Sequence, residues 1–477
     1  MGDGLDHLAG EIRRDLQRIN VPPETWTPDD GSTDYDVVVV GAGQMGLAAS
    51  FALQRVGLTR HVVIDSAPRD MEGPWVTYAR MKTLRSPNHL VGPAQDFPSL
   101  TFRAYYEARF GDDAWKGFGK IPNEMWQSYL GFFRDALGLP VENRVRLTAV
   151  EQDGENLRLA VERDGEPATI RTRHLVLATG RDGLGGPNLP SWVPAGDPRF
   201  QHSTEEVDFA ALSGRTVVVV GNSASAFDNA AEALESGACE VHMLMRRRSL
   251  PVFNRFKSMV NPGFTQGFPE LSDEERLAFL NAGFETGVAP PHESVARITH
   301  YPNFFLHTGA TVQAVEAHGA AVGLDLGSTH LIADKVILGT GFRVDLSARP
   351  ELAALAGNVR LWGDNGLPAE TVGSFERHPY LAGDFALTPR APDSDWVRRI
   401  HAFNIGAMAS LGLLSGDIPG VGDGAIRLGR GIAAALFQSD RQWHLGGIIA
   451  YSDHEIAGDE LTAAEQRAAS LALRRAS

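Results

Sequence analysis

Apolar positions along this chain fall into two spacings. Val37 to Val40 reads VVVV, a short continuous run of the kind that fills a strand covered on both faces. It enters a turn of small residues, GAGQMG, from Gly41 to Gly46. Leu47–Val56 then has helical spacing, and His61–Ile64 is apolar again. Strand, turn, helix and strand in that order predict a βαβ unit. The same arrangement returns 180 positions later: Thr216–Val220 ends in VVVV, GNSASA turns, Ser225–Glu235 is helical, and Glu240–Met245 is a strand. These two turns are the only repeat the sequence shows.

Between the two units, Val145–Glu151, Leu157–Glu162 and Thr169–Leu177 predict a meander whose last strand enters Ala178-Thr179-Gly180. Strand-like pieces follow at Thr311–Glu316 and Ala321–Leu326, and Lys335–Leu338 enters Gly339-Thr340-Gly341. Helical spacing predicts an amphipathic segment through Leu5, Leu8, Ile12, Leu16 and Ile19, packed on the body or on a second copy. Helices are also predicted over Glu124–Leu137, Leu271–Phe284, Ile426–Leu436 and Ala463–Arg474. Ser272 stands three before Glu275, as in a capping box. Residues 21–34 read as a linker. Residues 66–123 carry many prolines, glycines and aromatics with little periodicity, which is the mark of a functional stretch.

The 477 residues are too many for one ordinary core and predict two or three domains. A net charge of −15 disfavours nucleic acid and anionic membranes as partners. The single cysteine, Cys239, excludes an internal disulfide and a CxxC redox pair, and is expected as a small core residue. No apolar run approaches the ~18 residues of a membrane span, and the acidic N-terminus lacks a secretory pattern, so the cytoplasm is the expected location.

The two turns differ in chemistry. Gly41, Gly43 and Gly46 let a phosphate approach the helix N–H groups, with Gln44 and Met45 between them. Asp65 closes the second strand, 24 residues after Gly41. A carboxylate there accepts both ribose hydroxyls and repels a 2′-phosphate, so this turn reads as a site for FAD or NAD. In the second copy Gly221 is kept, while Ser223 and Ala226 replace the other glycines and Ser225 adds a hydroxyl. Its second strand ends in Arg246-Arg247-Arg248, which suits a 2′-phosphate and hence NADPH. Two cradles of opposite charge predict hydride transfer from NADPH to FAD.

GAGQMG at 41–46, ATG at 178–180, GNSASAFD at 221–228 and GTGF at 339–342 occur in the order found in class B flavin-dependent monooxygenases, which this chain resembles over most of 35–440. The resemblance implies an α/β fold with two Rossmann-like dinucleotide-binding domains, the NADPH domain inserted in the FAD domain. Its parts are an N-terminal helix and linker at 1–34, FAD domain at 35–205, NADPH domain at 206–329, and FAD domain with C-terminal helices at 330–477. It implies that Thr179, Gly180 and Gly341 mark crossings between domains. It also implies cofactors FAD and NADPH, a small-molecule substrate with O₂, a C4a-(hydro)peroxyflavin, and a homodimer as the expected assembly.

The stretch Met81–Phe102 resembles the segment that N-hydroxylating members place beside the flavin, which makes Arg85, Ser86 and Asn88 candidate catalytic residues and Trp75 a candidate cover for the ring. His202-Ser203 is similar to the family's HS before the second cradle. The Baeyer–Villiger pattern is broken, since Gly196, Pro198 and Glu206 stand where it needs Phe, Gly and an aromatic. Asp384 follows Gly383 where relatives hold the ribityl chain, and Asn404 offers an amide near the flavin or nicotinamide. No metal-ligand spacing is present. The resulting expectation is an NADPH- and O₂-dependent flavoprotein monooxygenase leaning to N-hydroxylation of an amine or amino acid. Baeyer–Villiger or S-oxygenation, a peroxide-releasing flavin reductase or oxidase, and a non-catalytic nucleotide sensor stay open.

Overall fold

The computed structural model describes residues 2–476. The chain forms two compact units, Met1–Ala433 and Ala434–Ser477. The first is a mixed α/β body built on two sheets. One sheet runs in the order 141–143, 61–65, 35–40, 166–177, 156–163, 145–153. The strand Glu166–Leu177 is long enough to join two pairings: its first part runs antiparallel to Asn156–Arg163, and its end runs parallel to Tyr35–Val40. Ile400–His401 returns from far along the chain to pair with Leu175 and Val176. The valines 37–39 are fully buried, as a strand covered on both faces requires.

The second sheet is wholly parallel, in the order 304–308, 240–245, 216–220, 335–338, 200–202. The expected division at 206 and 329 leaves two strands of this sheet outside the 206–329 segment, Phe200–His202 at its edge and Lys335–Leu338 next to it. A three-stranded antiparallel sheet, 314–318, 321–325 and 330–333, packs beside it around Val322, Leu324 and Val218. The chain leaves the first half through Gly185–Pro187 and returns through Phe342–Val344. These two passages pair antiparallel as a ribbon.

The helix Gly2–Arg18 buries Leu8 and Ile12 against an aromatic cluster of Phe51, Phe102, Trp126, Tyr129 and Phe133. That cluster draws on the helices Gln44–Arg55, Phe102–Phe110 and Asn123–Leu137. Gly4 allows a close crossing, for a Cβ there would lie 1.9 Å from the Ala108 carbonyl oxygen. The capping box at Ser272 forms with Glu275 in both directions. Cys239 departs from expectation: it is exposed, because it sits in the turn before the strand Glu240–Met245 rather than in it. The second unit holds the helices Arg441–Ala450 and Thr462–Ala476. Among the described residues no helix is long and apolar enough to cross a membrane.

Several histidines of the first unit are taken out of water, His61, His174 and His401 almost completely. Burial pushes His61 and His378 each down to about 4 from the ordinary 6.5, and lowers His174 and His401 as well. Between these values and 6.5 the unfolded chain binds protons that the folded chain refuses. Stability is therefore fully present above pH 6.5 and is lost as pH falls through 6.5 toward 4, at about 1.4 kcal/mol per pH unit for each proton taken up. Melting temperature measured across that range is expected to fall with pH, and a flat profile would count against the burial of these rings.

Candidate functional site

The first glycine turn is set by backbone crowding. Gly41 has φ +102° and its N–H donates to the Ile64 carbonyl at 2.8 Å. A Cβ on Gly41 would sit 2.6 Å from the Ala178 oxygen, and one on Gly46 would sit 1.7 Å from the Gly41 oxygen. The two glycines let the helix Gln44–Arg55 start flush against its strand. Gly43 is different. A Cβ there would meet only the Gly73 backbone, at an ordinary 3.6 Å, so the protein's own packing does not require glycine. Gly43 lines a cavity, and bareness there keeps the helix N-terminus open to a ligand.

The cavity has a volume of about 530 Å³. From the first half it is lined by Gly41, Gly43, Gln44, Met45, Asp65, Trp75, Arg85, Ser86, Thr179 and Gly180. From the second half it takes Ser203, Ser225, Asp228 and Asn229. Asp65 accepts from the Ala42 and Ala67 N–H groups at 2.7 and 2.8 Å; burial pushes its carboxyl up, against the pull of those two bonds. Gln44 accepts from the Trp126 indole at 3.2 Å, and Trp126 packs edge-on against Trp75. The Trp75 indole nitrogen is buried with no hydrogen-bond partner, as is the Asn229 amide oxygen. A buried donor and a buried acceptor left unmade on one cavity are what a polar ligand would satisfy.

At the second turn Gly221 has φ +135°, and a Cβ on it would fall 2.3 Å from the Gly339 oxygen. Ala226 is admitted in place of the third glycine because Gly339 faces it: a Cβ on Gly339 would lie 2.7 Å from the Ala226 methyl. Ser203 and Ser225 share a hydroxyl contact at 3.1 Å, and Ser223 donates to Gly339 at 3.4 Å. Of this turn only Ser225 lines the cavity; Gly221, Ser223, Ala226 and Gly341 do not. Arg246 and Arg247 are exposed at the end of the strand Glu240–Met245. That strand neighbours the one feeding the turn, and the Gly221 N–H donates to Leu244 at 2.9 Å. The guanidinium groups therefore follow directly on the strand that flanks the turn.

Ion pairs tie the two halves together. Arg85 pairs with Asp228 at 3.2 Å, and Lys82 with Glu232 at 3.0 Å and Glu235 at 3.1 Å. Arg297, in the second half with those three carboxylates, pairs with each of them and donates across to the Arg80 carbonyl at 2.9 Å. Gly46, Arg246 and Arg247 also lie outside the cavity lining, as do Asn88, His202, Asn404 and Asp384, whose side chains are engaged with protein atoms. The Asn88 amide donates to Phe118 at 2.7 Å. The His202 ring lies between the Gly341 carbonyl at 3.0 Å and the Thr204 hydroxyl at 2.8 Å, and burial lowers its pKa. The Asn404 amide donates to Leu177 at 2.8 Å, and Asp384 accepts from Ala386 at 3.2 Å. Sequence reasoning missed Tyr78, Arg146, Arg181, Asp228 and Arg349, all in the lining. For Asp228 a signal existed, as the last letter of GNSASAFD. Among the described residues no cluster of His, Cys, Asp and Glu is arranged to hold a metal.

The family model described as pyridine nucleotide-disulphide oxidoreductase matches residues 38–360. A protein of Xanthomonas campestris pv. campestris named FAD-dependent urate hydroxylase is 36% identical over 466 residues, 95% of this chain and 98% of that one. Among solved structures, an ornithine hydroxylase from Pseudomonas aeruginosa is similar with a TM-score of 0.66 at 19% identity, over 84% of this chain and 99% of that one. An L-lysine 6-monooxygenase from Pseudomonas syringae gives 0.64 at 20%, over 85% and 99%. At such identities the structural likeness speaks for the fold.

Proposed function

The chain belongs to the pyridine nucleotide-disulphide oxidoreductase family, and from that premise we propose that it is an FAD- and NADPH-dependent monooxygenase acting on urate or a close purine relative. The observation that carries this reading is a cavity lined by both halves, with a glycine-bared helix start on one side and Ser225 and Asp228 on the other. With one cysteine, Cys239, the chain has no internal thiol pair for the disulfide chemistry in the family's name.

FAD would lie along Gly41, Gly43, Gln44, Met45 and Gly46, with its ribose on Asp65 and with Trp75, Thr179 and Gly180 bounding the ring end. NADPH would lie on Gly221, Ser223, Ser225 and Ala226, with Arg246 and Arg247 on its 2′-phosphate. Bound FAD supplies the redox and oxygen-activating chemistry. The protein's share is to orient ring and nicotinamide, to fix the two halves through the Arg85 and Lys82 pairs and the Arg297 bond to the Arg80 carbonyl, and to keep water from the reacting centre. No side chain need act as a strong base. Urate as substrate rests on the 36% relative; the amine lean of the sequence is the competing assignment.

The test is NADPH and O₂ consumption by the purified yellow protein, supplied in turn with urate, L-ornithine and L-lysine. The expected result is urate-dependent NADPH oxidation with an oxygen atom incorporated in the product and little hydrogen peroxide. NADPH oxidation indifferent to every substrate, with all oxygen recovered as peroxide, would establish an oxidase instead. Bound nucleotide without turnover would establish a sensor.

A further inference from the structure

Resting on that reading, we infer that Arg85 is the residue that reads the substrate: its guanidinium donates to the planar acceptor edge of an anionic, oxygenated purine such as urate. Arg85 lies beyond the first nucleotide turn in the chain, whereas Asp228 lies on the helix Ala224–Glu235 that follows the second. Their 3.2 Å pair thus stands at the junction of the two halves, apart from the helix start where a flavin pyrophosphate would sit. A substrate held there would lie in the cavity that both halves line.

Asp228 is 2% accessible and is fixed from behind by the Ser294 hydroxyl at 2.6 Å and by Arg297 at 3.7 Å, both on the helix His292–Thr299. A carboxylate so held aims the guanidinium that pairs with it. Arg85 nevertheless keeps 44% of its side chain accessible, on the cavity. Its contact with Asp228 runs through Nη2 alone. A guanidinium carries five N–H donors in a rigid fork and no acceptor. What it can receive is a row of acceptors in one plane, and a urate anion offers carbonyl oxygens beside a deprotonated ring nitrogen. Arg181 lines the same cavity as a second guanidinium, alongside the carboxylates Asp182 and Asp417. An alkylammonium group offers only donors, so it cannot satisfy the Arg85 fork as that acceptor edge can.

Arg85→Gln and Arg85→Lys are to be assayed in the full FAD-loaded chain by NADPH oxidation against urate. KM for urate is expected to rise roughly 10- to 100-fold in Arg85→Gln, what one or two charge-assisted hydrogen bonds are worth, and by less in Arg85→Lys. KM for NADPH and FAD content are expected to move by less than about twofold. An unchanged KM for urate overturns the inference. So does a loss of FAD or a shift of its visible spectrum, which would give Arg85 to the flavin's own carbonyl edge. An equal loss for NADPH overturns it too, by reducing the residue to the pair that joins the halves. Failure of the wild-type chain to turn over urate sinks the substrate reading and this inference together. Normal urate turnover with an indifferent variant sinks this one alone.

Discussion

Gly46→Ala is expected to purify colourless, with FAD affinity reduced by at least about tenfold and the melting temperature lowered. The added methyl carbon would stand 1.7 Å from the Gly41 carbonyl oxygen, so either the helix start or the turn must move. Forcing such a shift in a packed site costs about 1–3 kcal/mol before any ligand is considered. It also tilts the N–H groups that would meet the pyrophosphate. Gly43→Ala is the informative partner. Its methyl meets nothing nearer than 3.6 Å, so the melting temperature of the flavin-free chain is expected to hold while FAD affinity still falls. Absorbance of bound flavin together with thermal melting reads both outcomes. A yellow, normally stable Gly46→Ala would show that the helix does not begin where FAD sits.

Replacing Arg246 and Arg247 together by alanine is expected to cut the preference for NADPH over NADH by roughly 100-fold, two charge-assisted contacts at about tenfold each. Both side chains are exposed, so stability should change little. The comparison is kcat/KM for the two nucleotides. In the wild type the preference should also shrink as salt is raised, because exposed charges are screened. An unchanged ratio would mean that the 2′-phosphate is read elsewhere or not at all.

The two glycine turns were legible because each is written within one short segment. Val37–Val40 can only be a covered strand, Gly41 and Gly46 mark the close approach, and Asp65 closes the unit where the period predicts. The partner that makes Ala226 tolerable could not be read. Gly339 lies more than a hundred positions away, and only the parallel pairing of 335–338 with 217–220 brings it opposite. The strand Phe304–Thr308 was missed for another reason. It is an edge strand whose residues are all exposed or half-buried, so no alternation marks it. The stretch 66–123 gave little period because its aromatics serve two masters. Phe102 and Tyr105 begin a helix and fill the cluster under the N-terminal helix, while Trp75, Tyr78, Arg85 and Ser86 line the cavity. Asn88, His202 and Asn404 have polar side chains in conspicuous places, and each is engaged in holding a loop. Residue type alone does not separate that duty from chemistry. Arg85 and Asp228 become informative only as a pair, across 143 positions of chain.

The ribbon of Gly185–Pro187 and Phe342–Val344 carries a mechanical consequence. Two separate tethers would let the parallel sheet swing about any line through either one. Laced together by a ladder, and with Gly185 pressed so near Arg343 that a Cβ would reach 1.9 Å from its oxygen, they act as a single flat strap. Such a strap yields to torsion along its length and resists sideways bending. Sideways displacement of the parallel sheet would therefore have to bend both passages at once.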